Sequence, residues 1–103
     1  MFGKRAAHKG ELSIPPQAEA DVSGTELLRA WVAGGSFFVS LRPEVWKDPA
    51  AWGIAIADIV RHLADAYQIK QGLDREDTTK RIVGLLEAEL RSPTDTPTGN
   101  FVN

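Results

Sequence analysis

The chain contains no cysteine, so it forms neither a disulfide nor a thiolate metal site, a composition that suits a reducing cytoplasm. It also lacks a dominant charge. Its 12 Lys and Arg against 14 Asp and Glu leave a formal −2, too weak a field to attract nucleic acid or an acidic membrane by itself. No segment approaches the roughly 20 apolar residues needed to cross a bilayer. The basic opening MFGKRAAHKG is followed by no apolar stretch of signal-peptide length. There is no phosphate loop of the G-x-x-x-x-G-K type, no dinucleotide G-x-G-x-x-G, no H-E-x-x-H and no cysteine-histidine ligand set. A cytoplasmic protein with no membrane association and no assigned cofactor, metal or catalytic residue is the expectation.

What is present fits one small domain. At 103 residues with 43% hydrophobic and 25% charged, the composition is near the globular average, but a core of this size has thin margins. A single α+β domain is expected over residues 12–91, between a disordered basic tail at 1–11 and a disordered tail at 92–103. The last segment, SPTDTPTGNFVN, offers only Phe101 and Val102 as an apolar hook that can dock. Leu12 to Pro16, LSIPP, reads as a short edge strand that its prolines end.

The first helix is expected from about Gly24 to Ala33. Ser23 and Glu26 have capping-box spacing, Leu27, Leu28, Trp31 and Val32 share a helical face, and Gly34 with Gly35 supplies a left-handed stop. A strand follows from Ser36 to Arg42, with Phe37, Val39 and Leu41 on one face and Phe38, Ser40 and Arg42 on the other. Pro43 to Lys47 turns the chain, and Asp48-Pro49 opens a second helix that ends at Gly72. Its broad apolar face carries Trp52, Ala55, Ile56, Ile59, Val60, Leu63, Ala66 and Tyr67. Trp52 is expected to fill the core between helix and sheet. Ile54 falls on the polar side, so Trp46 and the corner, or another chain, must cover it. A third helix starts at Asp74 or Asp77 and buries Ile82, Val83, Leu86 and Leu90, with Leu85 at its flank, before Pro93 ends it.

A lone strand cannot leave its backbone groups unpaired. The Phe37 strand needs a partner, and Leu12–Ile14 is the expected one. It is short, so an open edge follows, and a second copy would satisfy that edge symmetrically. The functional expectation is therefore a protein-interaction or accessory module. Its partner is a homodimer mate through the open edge, or another protein.

The alternative is a small-molecule-binding protein or enzyme. Asp58 and His62 are four apart on the second helix, where the carboxylate can orient the imidazole as a base, and Asp65 lies one turn on as a third metal-ligand candidate. The same spacing is the usual form of a solvated ion pair. Arg42, with Glu44 and Asp48, can hold an anion at the end of the strand or simply brace the corner. Lys4, Arg5, His8 and Lys9 make a thin footprint for nucleic acid, which is not the expected partner.

Four linked segments carry a family likeness. L-x-I-P-P, E-L-L-R-A-W-V, F-x-V-S-L-R-P and D-P-A-A-W-G before A-D-I-V-R-H together resemble a family of roughly hundred-residue, mainly alphaproteobacterial proteins catalogued as a domain of unknown function. The likeness spans Leu12 to Leu90. It implies no catalytic residue, ligand or cofactor.

Overall fold

The structure, a computed structural model, describes residues 8–94 and 100–101. It is α+β. In chain order the elements are helix α1 (Pro16–Ala20), strands β1 (Leu28–Ala33) and β2 (Ser36–Leu41), a 3-10 turn at Pro43–Val45, helices α2 (Ala51–Gln71) and α3 (Arg75–Arg91), and strand β3 (Asn100–Phe101).

The partner of β2 is the segment expected to be a helix. β1 runs antiparallel to β2 from Leu28↔Leu41 to Ala33↔Ser36. The two glycines that read as a helix stop are the whole connection, with φ of 57° at Gly34 and 79° at Gly35. Positive φ at both central residues is the requirement of a two-residue type I′ hairpin, whose twist matches that of its strands. Leu27, Leu28, Trp31 and Val32 fit a helical stripe, but Leu28, Ala30 and Val32 also alternate, and a six-residue ladder to β2 decides between the two periods. The capping-box reading fails with the helix. Ser23 instead donates its backbone N–H (2.9 Å) and its hydroxyl (2.7 Å) to Asp21 Oδ1, closing a local turn.

Leu12–Ile14 forms no strand. It is an exposed lead into the short α1, whose first turn is set by Pro15 and Pro16. The other side of β2 is met in parallel by β3, through Ser40↔Asn100 and Leu41↔Phe101. Val102 lies outside the described residues. The sheet order is β1-β2-β3, which leaves β1 as an edge.

The long helices form as their end signals dictate. Asp48 Oδ1 accepts from Ala50 N–H at 2.9 Å, and three successive turn bonds from Asp48, Pro49 and Ala50 carbonyls wind the chain into α2. At the other end Gly72 adopts φ 71° and its N–H bonds to Gln68 O, a left-handed closure, with the N–H of Leu73 reaching Tyr67 O. Asp74 caps α3 by accepting from Asp77 N–H at 3.0 Å. Asp65 reaches across to Arg75 at 2.6 Å, and the three-residue link folds α2 and α3 into a helical hairpin.

Burial is sparse. Among the described residues only Val60, Ala64 and Thr78 are buried. Val60 and Ala64 face α3, and Thr78 satisfies its hydroxyl on Asp74 O at 2.8 Å. No strand packs along either long helix; the hairpin meets the helices at a corner. There Trp46 and Trp52 stack edge to face with centroids 5.3 Å apart, and Trp52 Nε1 points to Pro43 O at 3.5 Å. Trp52 is thus half-buried at the corner and does not fill a core between helix and sheet. Trp52→Ala should destabilise by about 2–3 kcal/mol, below the ~3–5 of a fully enclosed tryptophan. Chemical denaturation reads this, and an unchanged midpoint would mean that the corner is held by something else.

Candidate functional site

The polar candidates are each accounted for by local bonding. His62 Nδ1 lies 2.8 Å from the backbone oxygen of Asp58 and 3.6 Å from its carboxylate. Both side chains stand in solvent, 77% and 63% exposed. Asp65, the third member of the imagined cluster, is committed to Arg75. Among the described residues no group of three or more histidines and carboxylates could hold a metal ion. Arg42 braces the hairpin, its Nε donating to Glu26 O at 3.1 Å while its N–H bonds Leu27 O at 2.9 Å. No hydrogen bond or ion pair joins Arg42 to Asp58, His62, Glu44 or Asp48. The corner and the mid-helix pair are therefore separate features.

Two polar clusters sit on the hairpin and escaped sequence reasoning. Arg29 is clasped by Glu11 and by Glu26, whose Oε2 lies 3.1 Å from a terminal guanidinium nitrogen. Hydrogen bonds to Glu11 first, then Glu26, raise the Arg29 pKa further above its ordinary value. On the same sheet face the His8 ring meets Trp31 edge on, at 5.1 Å, so residues 8–11 fold back across β1. Lys4 and Arg5 lie outside the described residues. The only early signal was the alternation of Arg29 with Trp31, which becomes meaningful once the segment is known to be a strand. Asp21, held by Ser23, has its pKa lowered, because the hydroxyl and then the N–H of Ser23 stabilise the carboxylate.

The largest feature is apolar. On α2, Ile56, Ile59, Leu63 and Tyr67 form a stripe left 40–45% exposed. A groove of about 740 Å³ runs between the helices, lined by Tyr67, Leu73, Thr78, Ile82, Leu85 and Leu86, with Arg81 and Glu89 at its rim. Of the α3 residues expected to be buried, Ile82 and Val83 are half-buried while Leu86 and Leu90 are exposed, and Leu85 at the flank is exposed as well. Ile54, on the far side of α2, is 75% exposed, and neither Trp46 nor the corner covers it. On the hairpin, Leu28, Ala30, Val32, Phe37, Val39 and Leu41 share one sheet face, of which Val32 and Phe37 beside the turn are bare. Among the described residues no helix is long and apolar enough to cross a membrane.

Fold and surface together define a small α+β domain in which a β-hairpin and a helical hairpin meet at a tryptophan corner and leave apolar faces uncovered. The chain belongs to the family described as Domain of unknown function (DUF5076), whose model matches residues 11–94. A similar solved structure is the "putative pyruvate dehydrogenase from the photosynthetic bacterium Rhodopseudomonas palustrus CGA009". It is 31% identical, the likeness covers 100% of each chain, and the TM-score is 0.72. No match is found among curated proteins.

Two measurements test the polar assignments. His62→Ala should leave the stability within about 0.5 kcal/mol of the parent, as for other surface positions without a structural role; a larger loss would give the Asp58–His62 pair a role that its exposure argues against. Ser23→Ala should move the NMR titration midpoint of Asp21 upward, because the hydroxyl bond that most favours its ionised form is gone while the backbone N–H bond remains. The native bonds contribute stability that is present above the unfolded-state pKa and lost as pH falls through the lowered folded one.

Proposed function

We propose that this chain is a small protein-interaction or accessory module whose working unit is a self-associated pair. The observation that carries the reading is the imbalance between burial and exposure. Among the described residues only Val60, Ala64 and Thr78 are buried, while Ile56, Ile59, Leu63, Leu85 and Leu90 stay exposed on the two long helices. A chain with so little core of its own gains its missing burial by association. The helical stripe supports this better than the edge of β1, since six residues of strand edge supply backbone bonds but little apolar area.

The alternative, a small-molecule site or enzyme built on Asp58 and His62 near Arg42, draws less support. Its base is solvated and its arginine is engaged on the hairpin. The activity printed for the Rhodopseudomonas protein is not carried over.

Light scattering across a dilution series tests the reading. The expected mass is twice 11.2 kDa at micromolar concentration, with a melting temperature that rises with concentration. Ile59→Asp should shift the population to monomer or unfold it, because a charge placed in the stripe is buried without a counter-ion. A parent chain that stays monomeric at high micromolar concentration would sink the proposal.

A further inference from the structure

We infer that the pair is built by two α2 helices crossing antiparallel about a two-fold axis between Ile59 and Leu63, so that two helical hairpins close into a four-helix bundle. This rests on the self-association proposed above and adds which surface carries it and in which direction.

Spacing along α2 supplies the first argument. Trp52, Ile56, Ile59, Leu63 and Ala66 recur at intervals of four, three, four and three, the period of a helix-packing seam. Val60 and Ala64, which face α3, lie roughly 90° around the helix from that seam. Each helix of a four-helix bundle has two neighbours at about such an angle. α3 fills one position, and the seam addresses the other. Exposure agrees: Ile56, Ile59 and Leu63 are each 42–45% exposed, a level that leaves one side of each side chain without a neighbour.

Side-chain size supplies the direction. In the antiparallel arrangement Ile59 of one copy meets Leu63 of the other, Ile56 meets Ala66, and Ala55 meets Tyr67. Large residues then face small ones, and the layers interdigitate. The parallel arrangement would set Trp52 against Trp52 and Ala66 against Ala66, crowding one end and leaving a void at the other. The seam runs from Trp52 to Ala66, about 21 Å of α2, and its two-fold symmetry makes the contact close on itself as a dimer. The groove beside Tyr67 and Leu86 lies on the flank of that seam, where the second helical hairpin enters.

The absence of cysteine makes the test clean. Ile54, Arg61 and Gln68 are seven apart on the exposed side of α2 opposite the seam, and each is replaced in turn by cysteine bearing a spin label. Pulsed electron paramagnetic resonance on the full chain should give the shortest interchain distance at position 61. The pairs at 54 and 68 are longer and similar to each other, each offset by about 21 Å along the helix axis. Three equal distances would mean a parallel pair. A longest distance at 61, or no measurable interchain coupling in a chain whose mass is dimeric, would mean that another surface joins the copies. Either result overturns this inference and leaves self-association standing, whereas a monomeric mass overturns both. A second measurement is independent of labels. Ile56→Ala should weaken the dimer by at least tenfold in Kd, and adding Ala66→Ile should recover most of that loss, because the two positions face each other across the axis. No recovery would place them apart.

Discussion

The join between sheet and helices depends on one corner. Trp46 closes the turn after β2, Trp52 opens α2, and the edge-to-face contact of their rings is where hairpin and helices meet. The contact exists because Pro43 to Asp48 reverses the chain within six residues, which brings the two indoles together before either long element has run its course. Aromatic pairs of this geometry contribute about 0.5–1.5 kcal/mol beyond the area that they bury. That is a modest hinge for a 103-residue chain, and it explains why the two halves read as separately organised units.

Each half solves its own backbone problem and leaves its apolar problem open. The hairpin pairs six residues of β1 with six of β2 through the tightest turn available, and β3 adds two residues to the far side. The helical hairpin satisfies its ends through Asp48, Gly72 and Asp74. Neither half can enclose its side chains alone, because a two-layer core needs one face packed on another and here the faces point outward. Polar groups are in the opposite condition, with no buried side-chain nitrogen or oxygen among the described residues lacking a partner. The described surface is thus satisfied in its polar chemistry and open in its apolar chemistry.

The family match and the structural likeness to the Rhodopseudomonas protein extend over nearly the whole chain, so this economy belongs to the fold as a unit. The tryptophan corner, the Gly34–Gly35 turn and the α2 stripe all fall inside the matched residues 11–94. The tethered Arg29, with Glu11 and Glu26 on either side, shows how the polar face of the hairpin is covered from within the chain, by the segment that precedes α1. On the opposite face Val32 is 76% exposed.

Local chemistry alone determined the two long helices. Asp48-Pro49, Gly72, Asp74 and Pro93 punctuate the chain by torsion and capping that need no distant contact, and the β2 strand followed from alternation over Phe37, Val39 and Leu41. The α+β class and the need of β2 for a partner strand were legible in the same way. The identity of that partner was not. Residues 28–33 satisfy both a helical and an alternating pattern, and Gly34-Gly35 serves equally as a helix stop or a hairpin turn. Only the hydrogen bonds offered by β2 broke the tie, since they are formed between segments and leave no trace in either segment by itself. Burial was hidden for the same reason. Periodicity marks which face of α2 or α3 is apolar, but whether Ile59 or Leu90 has a neighbour depends on where the rest of the chain goes, and in this fold it goes elsewhere.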